Sequence, residues 1–304
     1  MKKTTSRKIR LPEWFIQEIP GIEALADLRF LKRRGVNTVC LEARCPNWAR
    51  CFKKRTLAFM ILGNRCTRSC SFCAVGKFKK KSLPLDRKEP YRILQIVKEL
   101  RLGFVVITSV TRDDLNDYGV GQFVRTIRLI RNYKRDIKIE VLIPDFLGNS
   151  LGQVIEAKPD VLAHNLETVA RLYSKVCPES SYQRSLQVIA QAKRFLPNLI
   201  TKSSLLLGMG EKEREVFQVM HDLRSAGCDI LVLGQYLAPT ARHYPVKEFI
   251  SIEQFQRYQQ EASRLGFGSI LASPLARTSY QAREVYHRIK SLSRSANNLL
   301  ALVE

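Results

Sequence analysis

An α/β fold, an open partial barrel of six parallel β-α units, is predicted by three features of the sequence. Short apolar runs alternate with longer amphipathic segments from Leu57 onward. Six such runs can be counted where a closed barrel needs eight. A length of 304 residues admits one barrel with appended segments as readily as two domains.

Residues 1–56 lie outside the repeat. The first strand is expected at Leu57–Leu62, a helix at Tyr91–Leu100 and the second strand at Phe104–Ser109. A helix at Gly121–Tyr133 leads to strands at Ile137–Ile143 and Val161–His164. Helix Tyr182–Phe195, strand Leu199–Leu207, helix Glu211–Ala226, strand Asp229–Leu233 and helix Ile252–Leu265 complete the repeat. Right-handed crossovers then collect the strand C-terminal ends at one mouth, where loops carry the chemistry. The expected division is an N-terminal segment 1–56, a barrel 57–267 and a C-terminal segment 268–304 containing a helix at Gln281–Leu292. Each terminal segment should pack on the barrel or cap its mouth.

Hydrophobic content of 45% and charged content of 26% are those of a globular protein, which excludes disorder, collagen and a disulfide miniprotein. No stretch approaches the ~18 uninterrupted apolar residues of a membrane helix. The basic start, Met1 to Arg10, runs into Leu11-Pro12-Glu13-Trp14 without an apolar core, so a soluble, cytoplasmic protein is expected. With 51 Lys+Arg against 28 Asp+Glu the net charge is +23. That excess fits nucleic acid, an acidic protein partner or a solvated basic surface, and charge alone does not choose among them.

Six of the eight cysteines fall between Cys40 and Cys73, which in an intracellular chain points to metal or redox chemistry. Directly after the first strand stands Cys66-Thr67-Arg68-Ser69-Cys70-Ser71-Phe72-Cys73, a C-x3-C-x2-C triplet. Three thiolates on one loop can hold three irons of a 4Fe-4S cube and leave the fourth open to a substrate. A zinc knuckle is the alternative, although only Cys70 and Cys73 have the paired zinc spacing. A second triplet, Cys40, Cys45 and Cys51, precedes the barrel and again leaves one cluster iron short of a cysteine. Arg44, Arg50, Lys53, Lys54, Arg65 and Arg68 stud both arrays, where cations favour deprotonated ligands, or else form a solvated face. Cys177 and Cys228 lack metal-like spacing and read as a surface thiol and a buried small hydrophobe.

The first triplet, with Phe72 just before its last cysteine, resembles the radical S-adenosylmethionine (SAM) superfamily. The pair of triplets narrows the resemblance to the lipoyl synthase family. It extends from Leu11-Pro12-Glu13-Trp14 to Arg277-Thr278-Ser279-Tyr280 and includes Glu42-Ala43-Arg44-Cys45-Pro46-Asn47, Glu140-Val141-Leu142-Ile143-Pro144-Asp145-Phe146, His164-Asn165-Leu166-Glu167-Thr168 and Thr201-Lys202-Ser203. The resemblance implies a partial (β/α)6 barrel of the radical SAM type and a sulfurtransferase with two 4Fe-4S clusters and SAM as cofactors. The substrate implied is an octanoyl chain on a lysine of a carrier domain, which receives sulfur at C6 and C8. Such methylene carbons resist acids, bases and nucleophiles, so a cofactor must supply a radical. In the family the cluster on Cys66, Cys70 and Cys73 reduces SAM to methionine and a 5′-deoxyadenosyl radical, and the cluster on Cys40, Cys45 and Cys51 surrenders its sulfide. Two SAM molecules are spent per product, one for each C–H bond replaced.

Implied partners are the acidic octanoylated lipoyl-carrier domain, a low-potential electron donor such as ferredoxin or flavodoxin, and an iron-sulfur carrier for cluster repair. Neither a membrane nor nucleic acid is expected. Basic runs at Lys32-Arg33-Arg34, Lys53-Lys54-Arg55 and Lys79-Lys80-Lys81 would steer the carrier to the cleft, unless they are merely solvated. The candidates for holding SAM are Phe72 beside the adenine, with Thr108, Ser109, Asn165, Glu167, Lys202 and Ser203 at the strand ends. Each also has a local reading, Phe72 as a loop anchor and the hydroxyls as turn and helix caps. The family closes the Cys40, Cys45 and Cys51 cluster with a serine from the C-terminal motif. Ser279 is its counterpart here, with Arg277 balancing charge. The local reading is that Thr278 and Ser279 cap the following helix.

The chain departs from the family pattern at five positions, where Gly is expected at Tyr118, Ser204 and Ser273, Arg at Cys177 and Ser at Thr278. These departures leave open a paralogue acting on another substrate. A tRNA methylthiotransferase would also use two clusters, but the chain has no room for that class's larger N-terminal and RNA-binding domains. A non-catalytic iron-sulfur or zinc module leaves the barrel repeat unexplained.

Overall fold

The computed structural model describes residues 11–17, 21–78 and 84–300, with 293–300 as backbone alone. The basic start and the Lys79-Lys80-Lys81 run lie outside the described residues. The strands are β1 (Asn37–Thr38), β2 (Leu57–Ile61), β3 (Arg65–Cys66), β4 (Gly76–Lys77), β5 (Phe104–Ser109), β6 (Lys138–Leu142), β7 (Val161–Ala163), β8 (Ile200–Leu207), β9 (Ile230–Gln235) and β10 (Ser269–Ala272). The helices are α1 (Ile22–Arg33), α2 (Val39–Glu42), α3 (Trp48–Lys53), α4 (Glu89–Glu99), α5 (Val120–Tyr133), α6 (Gly148–Glu156), α7 (Tyr173–Val176), α8 (Tyr182–Phe195), α9 (Glu213–Ser225), α10 (Ile252–Arg264) and α11 (Ala282–Leu300).

One sheet runs in the order β1-β2-β5-β6-β7-β8-β9-β10, every pair parallel except β1 with β2. The strand order ends at β1 and β10, as a barrel left open requires. The six expected strands are present, and β10 adds a seventh parallel strand just beyond residue 267. Its four residues, Ser-Ile-Leu-Ala, are too short a run to stand out from the end of the preceding helix in sequence.

Inward and outward side chains separate by strand period. Ala58, Phe104, Val106, Val161, Ile200, Ile230 and Val232 point into the barrel, and α11 lays Ala282, Val285, Tyr286 and Ile289 against them. The rings of Phe104 and Tyr286 stand 5.9 Å apart. The outer faces bury Phe59, Ile61, Val105, Ile107, Ile139 and Val141 against apolar faces of α4, α5 and α6, and Leu205, Leu207, Leu231 and Leu233 against α9 and α10.

The two terminal segments meet at the mouth. Asn47 at the start of α3 donates to the Leu275 carbonyl at 2.6 Å, and Lys54 pairs with Glu284 of α11 at 2.9 Å. Residues 273–276 run along the end of β9, where the Ser273 and Gln235 amides bond to the Leu233 and Pro274 carbonyls. This approach requires Gly234, because a Cβ there would stand 2.0 Å from the Ala276 carbonyl oxygen.

Candidate active site

Each cysteine triplet is held by the residues between its members. In the loop after β3, the Thr67 amide bonds to the Thr111 carbonyl, and its hydroxyl donates to Asp113 at 2.8 Å. Arg68 reaches Asp113 at 3.1 Å and Asp145 at 2.7 Å. The Ser69 amide donates to Glu179, and the Ser71 amide to the Val176 carbonyl at 2.8 Å. The loop is thereby tied through Thr67 and Arg68 to the segments after β5 and β6, and through Ser69 and Ser71 to α7 and the turn after it. Its launch is fixed by Glu89, which accepts the Leu62 amide at 2.8 Å and the Gly63 amide at 3.4 Å, both residues having positive φ. Arg112 beneath it donates to the Leu62 carbonyl and to Asp114. Asp113 thus serves Arg68, while Arg112 and Asp114 neutralise each other.

The other triplet occupies α2 (Cys40), the turn after it (Cys45) and α3 (Cys51). All six cysteines line one cavity of about 540 Å³ at the strand C-terminal ends. Burial pushes the Cys40, Cys45 and Cys73 thiols up and raises Cys51 and Cys70 to about 12; neighbouring cysteines of the same triplet add to the shift for all but Cys45. Lys54 draws Cys51 down, Lys77 draws Cys70 and Cys73 down, and Arg277 draws Cys45 down. To be held as thiolates, groups crowded in this way would need cationic charge from a bound group, which the irons of a cluster would supply. Among the described residues no three His, Cys, Asp or Glu side chains converge on a single ion.

Of the remaining candidates, Phe72, Thr108, Ser109, Asn165, Glu167 and Ser279 line the same cavity. Thr108 spends its hydroxyl on the Leu142 carbonyl at 3.1 Å, whereas the Ser109 Oγ is buried without a partner. Asn165 donates to Glu167 at 3.1 Å, and burial pushes the Glu167 carboxyl up to about 7 against that bond. An orphaned hydroxyl, an amide and a carboxyl on one wall of the cavity suit a zwitterionic ligand with a ribose. A smaller hollow of about 170 Å³ continues beneath Cys66 and Cys70 to Asp145, His164 and Cys177. The His164 Nδ1 meets the Ile143 carbonyl at 2.9 Å, and its Nε2 stands 3.5 Å from Asp145.

Lys202 and Ser203 do not reach the cavity. Ser204 and Leu142 line it, and two residues earlier on the same strands the Lys202 ammonium meets both oxygens of Glu140 at 3.0 Å, fully buried one layer beneath the floor. Ser203, alternating outward, accepts the Leu166 amide at 3.3 Å. Cys177 is not a surface thiol: at 1% exposure it packs at the end of α7 with Tyr173 and Tyr182. Cys228 is fully buried, as expected. Tyr118 adopts φ +53°, a conformation that favours glycine, whereas Ser273 is under no such demand. The helix after the C-terminal motif begins at Ala282, and the Thr278 hydroxyl bonds to Asn165 and Ser204 instead of capping it.

Sequence reasoning missed the roles of Glu89, which holds the Leu62 and Gly63 amides, and of Asn47, which holds the C-terminal segment from the cavity wall. Asn47 sits inside the motif Glu42-Ala43-Arg44-Cys45-Pro46-Asn47, which was the available signal.

Residues 60–223 match the Radical SAM superfamily. The lipoyl synthase of Caldanaerobacter subterraneus subsp. tengcongensis is 46% identical over 276 residues, 90% of this chain and 96% of that protein. The lipoyl synthase of Aquifex aeolicus is 49% identical over 258 residues, 84% of this chain and 93% of that protein. Among solved structures, Streptococcus suis SuiB bound to S-adenosylmethionine superposes with a TM-score of 0.54 at 12% identity, covering 84% of this chain and 57% of that one.

Proposed function

The chain belongs to the lipoyl synthase family of the radical SAM superfamily, and on that footing we propose that it inserts sulfur at C6 and C8 of an octanoyl chain carried on the lysine of a lipoyl-carrier domain. It is a sulfur-transferring enzyme of lipoate biosynthesis whose family works with SAM and two 4Fe-4S clusters. The observation that carries the assignment is the opening of both cysteine triplets and the C-terminal serine motif into one cavity. When bound, these cofactors supply a radical that removes hydrogen from an unactivated carbon and the sulfur that replaces it.

In this reading Cys66, Cys70 and Cys73 hold the cluster beside SAM, with Phe72 at the adenine and Ser109, Asn165 and Glu167 at the polar groups. Thr108 orients the strand end. Cys40, Cys45 and Cys51 hold the sulfur donor, and Ser279 completes its ligands. An oxygen ligand is harder than thiolate and leaves more readily on protonation, which suits an iron that must let go. Arg277 stands near enough to Cys45 to draw its thiol down and so offsets the charge of that set. The N-terminal segment to residue 56 and the C-terminal segment that follows β10 serve as the donor-cluster unit, and residues 57–272 as the radical-generating barrel. The partners are the acidic carrier domain, ferredoxin or flavodoxin, and an iron-sulfur carrier that rebuilds the spent cluster. Among the described residues no helix is long and apolar enough to cross a membrane.

The test is anaerobic incubation of the reconstituted protein with SAM, a strong reductant and an octanoyl-lysine peptide, followed by mass analysis. A gain of two sulfurs is expected. SAM cleavage without sulfur gain would point to another substrate.

A further inference from the structure

Two positions at which the sequence departs from the family pattern, Ser204 and Thr278, touch each other: their hydroxyl oxygens are 2.7 Å apart across 74 residues of chain. Both are buried, at 4% and 8% exposure. The direction of hydrogen bonding follows from the neighbours. Asn165 uses its amide nitrogen on Glu167 at 3.1 Å, so its oxygen faces Thr278 as an acceptor at 3.1 Å. Thr278 owns a single proton and gives it to Asn165, so Ser204 must donate to Thr278. The four side chains form one directed series, Ser204 to Thr278 to Asn165 to Glu167, in which each bond polarises the next. It joins the inward face of β8 and the loop after β7 to the C-terminal segment.

The next residue, Ser279, lines the cavity with the cysteines, and its hydroxyl has no hydrogen-bond partner among the described residues. We propose that Ser204 and Asn165 latch the Thr278 hydroxyl into the barrel, pinning the C-terminal segment over the cavity and leaving Ser279 as the hydroxyl presented to Cys40, Cys45 and Cys51. Ser204 and Thr278 are positioning residues. The latch rests on geometry alone, whereas its consequence rests on the reading that Ser279 completes the donor set.

Two measurements on the reconstituted protein separate these parts. The first is amide hydrogen exchange over residues 274–281 in Ser204→Gly, Thr278→Val and the double variant. Ser204→Gly should speed exchange there by about three- to tenfold, the weight of one buried hydrogen bond, and Thr278→Val, which loses two, by more. The double variant should be no faster than Thr278→Val, because the one latch bond of Ser204 ends on Thr278 and is already lost there. Unchanged exchange, or additive effects, would overturn the latch. The second is electron-nuclear resonance with ¹³C-cyanide on reduced protein in which Cys66, Cys70 and Cys73 are replaced by Ala, so that one cluster is observed. Ser279→Ala should admit cyanide to iron fully, and Thr278→Val should admit a smaller fraction, because it loosens Ser279 without removing it. Cyanide binding in Thr278→Val but not in Ser279→Ala would overturn the assignment of roles even if exchange behaves as expected. Cyanide binding in neither would overturn the Ser279 ligand reading and leave the latch to stand on its exchange result.

Discussion

Asn47 and Leu275 are joined by a hydrogen bond of 2.6 Å that spans 228 residues of sequence. The amide sits two residues after Cys45 and the carbonyl four before Ser279, so this bond ties the donor cysteines directly to the segment that faces them.

Asn47→Ala should therefore destabilise the protein by about 1–3 kcal/mol, because the Leu275 carbonyl loses its donor in a largely buried site. Denaturant unfolding of the reconstituted protein measures this. A midpoint equal to that of the parent would show that the bond contributes nothing.

Lys202 and Glu140 should behave as a buried ion pair that is costly to halve. Lys202→Met alone should lose about 3–5 kcal/mol by stranding the carboxylate, whereas Lys202→Met with Glu140→Leu should recover most of it. Equal losses in the single and double variants, read from urea melts, would mean that packing and not charge sets the cost.

The basic runs Lys32-Arg33-Arg34 and Lys53-Lys54-Arg55 are exposed, although Arg34 and Lys54 already pair with Glu99 and Glu284. If they steer an acidic carrier domain, raising salt should slow turnover of the octanoyl-carrier far more than that of an octanoyl-lysine peptide. Equal salt sensitivity of the two substrates would remove steering.

The barrel was legible in the sequence because parallel strands buried on both faces are written as continuous apolar runs. Phe104–Ser109 and Tyr182–Phe195 fall on the expected residues. The short strand β10 was not legible, since four residues carry no period. All six clustered cysteines meet at the cavity because the triplets are local in sequence. Lys202 and Ser203 were misplaced because position along a strand fixes height as well as face. The motif Thr201-Lys202-Ser203 enters the barrel too early to reach the mouth, and Ser204 is the residue that does. The burial of Cys177 and the meeting of Ser204 with Thr278 depend on long-range packing that no local pattern records.

The two triplets should divide the reaction between them, and SAM cleavage, followed as 5′-deoxyadenosine formation, tests that division most directly. The protein with Cys40, Cys45 and Cys51 replaced by Ala should still cleave SAM while adding no sulfur to the octanoyl peptide; replacing Cys66, Cys70 and Cys73 should abolish cleavage. Failure of the first variant to cleave SAM when it is folded and loaded with about four irons per chain would contradict separate tasks for the two sets of cysteines.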